Sequence, residues 1–109
     1  MTVKDLSDAL SLTVFTLPDP DRKVSGGYSG DLLSWVMGRA GEDNAWITIM
    51  SNQNVAAVAL MADLACVILT EGVTPDEELL RQAKEQQINL LGTDAPTFEA
   101  GLALGEQLK

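Results

Sequence analysis

Arg22 and Lys23 form the only adjacent basic pair in the chain, and they stand just before Ser25, Gly26 and Gly27. A cationic side chain can pair with a phosphate group, and glycines let the backbone come close to a ligand. The segment DRKVSGGYSGDLLSW, residues 21–35, is therefore a candidate ligand-binding loop. The structural alternative is a turn beside a short strand that the two glycines break or bulge.

This segment lacks both standard fingerprints of phosphate-binding loops. GxxxxGK[ST] requires a lysine after its second glycine, which is missing, and GxGxxG is also absent. These absences argue against a P-loop kinase and against a dinucleotide-dependent oxidoreductase. Asp31 could hold a metal ion or a ribose hydroxyl, but an aspartate that follows a glycine at the start of a helix more often caps that helix.

The residues needed for common catalytic centres are missing. The chain has no histidine, which removes the commonest general base, the commonest zinc ligand and any His-based triad. Its single cysteine, Cys66, allows neither an internal disulfide nor a CxxC metal site, and within ACVIL it is interpreted as a buried small hydrophobe. The carboxylate pairs at residues 42–43 and 77–78 fall in turns or at helix starts, where they are solvated surface. We therefore predict a protein that is not an enzyme and holds no metal or cofactor.

The charge of the chain restricts its partners. Its 109 residues suit a single domain, and 16 acidic against 7 basic residues leave a net charge of −9. This balance argues against nucleic acid and against an anionic membrane surface, because both require a basic face. A bound phosphate would need local help, for which backbone N–H groups at helix starts are the best source.

No membrane or export segment is expected. The N-terminal MTVKDLSDAL carries acids early and lacks an apolar core of sufficient length, so it is not a signal peptide. The longest apolar run, residues 55–69, is interrupted by Asp63 and is shorter than the roughly 20 residues of a membrane span. We expect a soluble, cytoplasmic protein, in keeping with the single reduced thiol.

The first third of the chain is predicted to form two helices and two strands. Thr2 and Asp5 form a capping box for a short first helix. The segments that follow are a strand at 11–17, a turn at 18–21, a short strand at 24–28 and a helix that Asp31 caps and Gly41 ends. The helix that Gly41 ends contains Trp35. Both Trp35 and Trp46 are interpreted as core or interface residues.

From residue 45 onward, predicted strands and helices alternate. The elements are a strand at 45–50, an alanine-rich helix at 55–65, a strand at 66–69, a helix ending near Gln86, a strand at 88–91 and a last helix bearing Phe98, Leu102 and Leu108. Short apolar strands joined by helical crossovers indicate a parallel sheet with right-handed connections. We therefore predict a single α/β domain of three layers, with a mostly parallel sheet flanked by helices.

Two local features complete the predicted elements. In the loop before the fourth helix, Thr74 is expected to be the N-cap, with Pro75 in the first helical position and Glu77 closing a capping box. Asp63 lies within an otherwise apolar helix pattern, and three interpretations stay open for it. It could be buried against Arg22, buried against a backbone amide, or placed to cap the turn before Cys66.

Three polar loops follow three of the predicted parallel strands: SNQN at 51–54, TEGVT at 70–74 and GTD at 92–94. The carboxyl ends of parallel strands lie at one edge of a sheet, and ligands of open α/β sheets bind at that edge. The order of the elements therefore predicts a binding function. The asparagines of the first loop could also cap the next helix.

The stretch DRKVSGG at 21–27, followed by Gly30-Asp31-Leu32-Leu33, resembles the signature of the DRTGG domain family, although Lys23-Val24-Ser25 departs from the literal string. The strand WITIM, the helix NVAAVALMADLA and the strand CVILTEG are similar to family features. The segment TPDEELLRQAKEQQINLLGTDAPTFE is similar to the end of the related N-terminal domain of HPr kinase/phosphorylase.

The resemblance implies that residues 1–109 are a single regulatory domain that pairs as a homodimer. Such domains occur alone, in regulatory parts of CBS-domain pyrophosphatases and in phosphotransacetylase-like proteins. In the HPr kinase relatives the P-loop lies in a separate domain, so the resemblance carries no kinase activity. An adenine nucleotide is suggested by the association with CBS domains, although the acidic charge of this chain does not favour it.

Two functional hypotheses follow. The first is a non-catalytic regulatory module that binds a nucleotide or another phosphorylated metabolite, and it rests on the resemblance and on the polar loops. The second is a dimerisation or docking subunit without a small-molecule ligand, and it rests on the apolar alanine-rich helix and on an apolar fraction of 46%, which is high for so small a chain. In the first hypothesis, the segment at residues 21–35 is a turn that lines a crevice. The predicted ligand-binding residues are Arg22, Ser25, Gly26, Gly27, Tyr28, Asp31, Asn52, Asn54, Thr70, Gly72 and Thr93.

Overall fold

The computed structural model describes all 109 residues, which form five helices and five strands. The helices are α1 (Val3–Leu10), α2 (Leu33–Arg39), α3 (Asn54–Met61), α4 (Glu77–Glu85) and α5 (Thr97–Gln107). The strands are β1 (Thr13–Thr16), β2 (Gly26–Ser29), β3 (Asn44–Thr48), β4 (Cys66–Leu69) and β5 (Leu90–Gly92). Measured by length and apolar content, none of the five helices could cross a membrane.

The five strands form one sheet in the order β1-β5-β4-β3-β2. Strands β2 to β5 are mutually parallel where they pair, and only β1 runs antiparallel, against β5. Each parallel connection contains a helix, as a crossover between parallel strands requires. The predicted α/β domain with a mostly parallel sheet is confirmed.

Alternating side chains along the central strands build a core on each face of the sheet. Trp46, Val67 and Leu69 pack on one face with residues of α2, α3 and α4. Ile47, Cys66 and Ile68 pack on the other face with residues of α1 and α5. All of these strand residues are at most 2% exposed, so the sheet is covered on both sides and the fold has three layers.

Several boundaries follow from local sequence. Thr2 caps α1, and its side chain and that of Asp5 form the predicted capping box. Strand β4 has the predicted limits of 66–69. Helix α3 is shorter than predicted, because it ends at Met61 and Asp63 then adopts a left-handed conformation with φ of 55°, which turns the chain back towards β4. The prediction that Asp63 lies inside this helix was wrong.

The predicted start of α4 was also wrong. The helix begins at Glu77 with Asp76 as its N-cap residue, and no side chain caps it. Contacts with the neighbouring loop decide this, because Asp76 N–H donates to the Ser51 carbonyl (2.9 Å) and Ser51 Oγ donates to Asp76 Oδ1 (3.1 Å). Thr74 and Pro75 therefore lie in the loop, and Glu77 closes no capping box.

Cys66 is fully buried in the β4 strand. Burial raises the pKa of its thiol to about 12, and the thiolate is the form that attacks disulfide reagents. We expect no reaction of the folded chain with an aromatic disulfide reagent at pH 8. When denaturant is added, the Cys66 thiol should react and release one equivalent of aromatic thiolate from the reagent. Stoichiometric reaction of the folded chain within minutes would contradict the burial.

Candidate functional site

The carboxyl ends of the four parallel strands lie at one edge of the sheet. Helices α2, α3, α4 and α5 each begin at this edge, because each follows one of these strands directly. The three polar loops predicted from the sequence therefore lie together there. We call this side the carboxyl edge, and the side where the same strands begin the amino edge.

At the carboxyl edge, the loop after β4 is joined to the loop after β5. Glu71 N–H donates to the Ala95 carbonyl (2.9 Å), and Gly72 N–H donates to the Thr93 carbonyl (3.1 Å). The Glu71 carboxylate accepts a hydrogen bond from Thr97 N–H at the start of α5 (2.7 Å). Glu71 and Gly72 have φ of 60° and 74°, a left-handed conformation that suits glycine and places the Glu71 carboxylate at the helix start.

Thr70 lies at the same contact between the two loops and is buried. Its side chain is 0% exposed, and its hydroxyl lies 2.6 Å from that of Thr97. Thr93 is half-buried, and its hydroxyl accepts a hydrogen bond from Ala95 N–H (3.2 Å). Of these two predicted ligand-binding residues, only Thr93 offers a surface to a ligand.

Asp31 does not cap α2, and that prediction was wrong. The helix begins at Leu33 with Leu32 as its N-cap residue, so Asp31 stands one position too early. Its Oδ1 instead accepts hydrogen bonds from Thr48 Oγ1 (2.8 Å) and Ile49 N–H (3.1 Å). Asp31 therefore joins the end of β2 to the end of β3, and its carboxylate is partly occupied by these two donors.

The loop after β3 is organised by its first asparagine. Asn52 Oδ1 accepts from Asn54 N–H (2.9 Å), and the Asn52 carbonyl accepts from Val55 N–H (3.1 Å). These bonds occupy two N–H groups at the start of α3, which would otherwise be available to an anion. The Asn54 side chain is exposed and lies free of these bonds.

The carboxyl edge is acidic. Its loops contain no lysine or arginine, and they carry four carboxylates: Asp31, Glu71, Asp76 and Asp94. Three of these carboxylates accept hydrogen bonds from the protein itself. A free phosphate group is therefore disfavoured at this edge, whereas hydroxyl donors such as those of a ribose suit it.

One apolar cleft opens at the carboxyl edge on the α5 side of the sheet. Its volume is about 240 Å³, and Ile68, Thr93, Glu99 and Ala103 are among its lining residues. The remaining lining residues are Leu10, Leu12, Ala95 and Ala100. Thr93 thus places one predicted ligand-binding residue at a concave, mostly apolar surface, which is the usual character of small-molecule sites.

Arg22 lies at the opposite side, on the amino edge. Its Nε–H donates to Asp43 Oδ1 (2.9 Å), and its Nη2 group donates to Asp63 Oδ1 and to the Asp63 carbonyl (both 2.8 Å). Through these hydrogen bonds, Arg22 connects the segment before β2 to the residues before β3 and β4. Of the three interpretations of Asp63, the contact with Arg22 is the one observed, although the Asp63 side chain is 57% exposed rather than buried.

The charges in this cluster stabilise one another. Burial lowers the pKa of the Arg22 guanidinium, but its hydrogen bonds to Asp43 and Asp63 outweigh burial and raise that pKa overall. The Arg22 hydrogen bond and charge hold the pKa of Asp63 below its ordinary value. The guanidinium therefore already has two carboxylate partners within the chain.

The two glycines lie within a regular strand, so the predicted break, bulge or turn was wrong. Gly26 and Gly27 pair in continuous register with Asn44 and Ala45 of β3. A Cβ atom at Gly27 would lie 2.7 Å from Leu104 Cδ2 of α5. The absence of a side chain at Gly27 therefore lets α5 pack closely on the sheet.

The predicted ligand-binding residues divide into separate groups. Arg22, Ser25 and Gly26 lie towards the amino edge, where Ser25 Oγ donates to the Glu42 carbonyl (3.0 Å). Gly27 and Tyr28 lie within β2, with Tyr28 packed against the core on the α2 face. The remaining predicted residues lie at the carboxyl edge: Asp31, Asn52, Asn54, Thr70, Gly72 and Thr93. The edges are separated by parallel strands of three to five residues, or about 10–16 Å.

Glu71, Asp43 and Thr48 organise these edges, but the sequence did not indicate their contacts, and Asp43 was interpreted as solvated surface. Glu71 stands before a glycine in a turn, which is a weak sign of an unusual backbone conformation. Asp43 and Thr48 have no local sign, because their partners Arg22 and Asp31 are 21 and 17 positions away. No three Cys, Asp or Glu side chains lie close enough together to hold a metal ion.

A family model described as the DRTGG domain matches residues 33–106. The match covers α2 to α5 and begins after the DRKVSGG segment that suggested the family. No curated protein sequence matches the chain.

Among solved structures, the chain is similar to the crystal structure of the CBS and DRTGG domains from the regulatory region of Clostridium perfringens pyrophosphatase, complexed with the activator diadenosine tetraphosphate. The TM-score is 0.74 at 17% sequence identity, and the similarity covers 94% of this chain. It covers 45% of the pyrophosphatase chain, so the present chain spans less than half of that structure.

Proposed function

We propose that this chain, which belongs to the DRTGG domain family, is a non-catalytic regulatory module that binds a nucleotide or another phosphorylated metabolite. The observation that carries the proposal is the fold, which the chain shares along nearly its whole length with a regulatory region crystallised with a dinucleotide activator. A homodimer in the cytoplasm is part of the proposal, and catalysis is not.

The carboxyl-edge cleft is the proposed site. Its apolar lining suits a nucleobase, and the Glu99 carboxylate and the Thr93 hydroxyl at its surface suit the hydroxyl groups of a ribose. Asp31, Asn52, Asn54 and Gly72 belong to the loops of the same edge. In this proposal Arg22 and Ser25 stabilise the fold at the opposite edge and do not contact the ligand.

The phosphate groups are expected to need a divalent cation. The chain carries a net charge of −9, and the loops of the carboxyl edge contain no lysine or arginine to pair with a phosphate. Mg²⁺ bound to the phosphates would reduce the repulsion between ligand and protein.

We expect a dose-dependent rise in the melting temperature with AMP, ATP or diadenosine tetraphosphate, larger with Mg²⁺ than without it. A ligand at one hundred times its dissociation constant stabilises the fold by about 2.7 kcal/mol, which a thermal-shift measurement detects. The variant Ala103→Leu is expected to abolish the rise, because three added carbon atoms fill the cleft.

Ala57→Leu is the matched control, since Ala57 is an exposed helical alanine on the other face of the sheet. Loss of the ligand response in both variants, or in neither, would place the ligand outside the carboxyl-edge cleft. No response of the parent chain to any of these nucleotides would leave the docking subunit as the better hypothesis. The nine exposed large apolar side chains support that alternative.

A further inference from the structure

We propose that this chain binds a free α-amino acid with an uncharged polar side chain at the amino edge of its sheet. The site is a cleft of about 240 Å³ that lies between Arg22 and the C-terminal ends of α3 and α4. We call it the amino-edge cleft. It lies at the opposite edge from the proposed nucleotide site, so the inference goes beyond the proposed function and does not depend on it.

A buried side chain holds one acceptor of the amino-edge cleft in place. Asn89 is 3% exposed, and its Oδ1 accepts a hydrogen bond from Asp19 N–H (3.0 Å). Its Nδ2 group donates to the carbonyls of Asp19 (2.8 Å) and Ala65 (3.0 Å). The backbone of Asp19 is therefore fixed on both sides, while its carboxylate accepts no hydrogen bond within the chain and lines the cleft. Supported groups of this kind are what a ligand site requires.

The ends of two helices add further acceptors to the same cleft. Helices α3 and α4 end at Met61 and Glu85, and the C-terminus of a helix carries a partial negative charge that favours a cation. Gln86 and Gln87 line the cleft, and their carbonyls accept no hydrogen bond within the chain. An ammonium group carries three N–H donors and matches these acceptors.

Arg22 supplies donors to the amino-edge cleft. Its Nε and Nη2 groups are occupied by Asp43 and Asp63, but its Nη1 group makes no hydrogen bond within the chain. The Arg22 side chain is 26% exposed and lines the cleft, so the two N–H groups of Nη1 remain for a ligand. A carboxylate is the best partner for such a group, because the bond joins opposite charges.

The two kinds of free group identify a zwitterion as the ligand. A simple anion would meet the carboxylates of Asp19 and Asp63 in a chain of net charge −9. A simple cation would leave the Arg22 donors unpaired and would be repelled by the guanidinium charge. A zwitterion has no net charge and pairs with both kinds of group. A free α-amino acid carries a carboxylate and an ammonium group on one carbon atom, so it is the small ligand that fits.

A second cleft beside the first indicates the side chain of the amino acid. Leu60 and Gln86 line both clefts, and the second has a volume of about 270 Å³. The remaining lining residues of the second cleft are Gln53, Asn54, Ala57 and Gln82. It therefore contains four carboxamides and no charged side chain. Carboxamides both donate and accept hydrogen bonds, so they suit a carboxamide or a hydroxyl group on the ligand, as in L-glutamine or L-serine.

The test is calorimetric titration of the full chain with L-glutamine, L-asparagine, L-serine and L-threonine up to millimolar concentrations. We expect saturable binding of L-glutamine. Its addition should shift the amide NMR signals of Asp19, Gln87 and Asn89 and leave those of the carboxyl-edge loops unchanged. Binding of none of the four amino acids, or shifts confined to residues outside the two clefts, would overturn the proposal.

Two analogues of L-glutamine test its two charged groups separately. L-Glutaminamide lacks the carboxylate, and N-acetyl-L-glutamine lacks the ammonium group. Each is expected to bind at least about tenfold more weakly than L-glutamine, because each leaves one set of charged hydrogen bonds unmade. Equal binding of L-glutaminamide and L-glutamine would mean that Arg22 holds no carboxylate, and the assignment to an amino acid would be wrong.

The variant Asp19→Asn tests the position of the ammonium group. It keeps the backbone contacts with Asn89, so we expect the parent's circular dichroism spectrum and binding of L-glutamine about tenfold weaker. Asp21→Asn is the matched control, because Asp21 is an exposed carboxylate of the same segment that does not line the cleft. Equal weakening in both variants, or in neither, would overturn the site. Binding of L-glutamine by a parent chain without a nucleotide response would support this inference and count against the proposed function.

Discussion

Arg22→Ala is expected to lower the free energy of unfolding by about 2 kcal/mol at neutral pH. The substitution removes every hydrogen bond between the guanidinium and the residues before β3 and β4. Breaking a fully buried ion pair costs about 3–5 kcal/mol. The expected loss is smaller here because the Asp43 and Asp63 side chains are 37% and 57% exposed, and solvent screens their charges.

The pH dependence of stability distinguishes the ion pair from simple packing. Arg22 holds the pKa of Asp63 below its ordinary value. A carboxylate of this kind stabilises the fold above its unfolded pKa, and that contribution is lost as the pH falls through the lower folded pKa. The stability difference between parent and Arg22→Ala should therefore narrow as the pH falls below about 4.

Urea unfolding at pH 7 and at pH 2.5 measures this difference, with Arg22→Lys as the control. Lysine keeps the charge but loses the planar fork that reaches both carboxylates, so its stability should lie between those of the parent and Arg22→Ala. A difference that is equal at both pH values would assign the loss to packing of the arginine stem. Unchanged nucleotide binding by folded Arg22→Ala would agree with a stabilising role for Arg22.

Gly27→Val is expected to lower the free energy of unfolding by about 2–3 kcal/mol. Its Cβ would lie 2.7 Å from Leu104 Cδ2, and Leu104 is only 4% exposed, so this side chain has little room to move. The new valine must either displace α5 from β2 or force Leu104 into a strained rotamer. Thermal and urea unfolding at matched protein concentrations measure the loss.

Gly26→Val is the matched control, one position earlier in the same strand. A Cβ there would lie 3.0 Å from Asn44 Nδ2, the end of a half-buried side chain, so a shift of a few tenths of an ångström relieves the contact. We expect less than half the loss seen for Gly27→Val. Equal losses would mean that both glycines are required for strand conformation. No loss at Gly27 would contradict the close packing of α5 on the sheet.

The alternation of apolar strands and helices was enough to predict the layers of this protein and the edge where its polar loops meet. Strand β4 is a clear case, because CVIL is uniformly apolar and is buried on both faces. The capping box at Thr2 is another, since both partners lie within four residues. Such features depend on residues that are close together in the chain, so the local sequence is enough to predict them.

The candidate site was only partly predictable, because its contacts join residues that are far apart in the chain. The Arg22–Asp63 contact joins residues 41 positions apart, and no local pattern indicates it. Asp31 has a residue type suited to a helix cap, but Thr48 and Ile49 supply donors from the adjacent strand. Tertiary contacts thus redirected side chains whose local preferences pointed elsewhere.

By itself, the sequence determined the fold class, the parallel central strands and the acidic character of the chain, because hydrophobic periodicity and composition are local or summed properties. Only the tertiary structure decided that the basic pair and the polar loops lie at opposite edges of the sheet. It also decided that Gly27 accommodates Leu104, 77 positions later in the chain. Contacts across such distances depend on how the helices pack on the sheet, which periodicity does not specify.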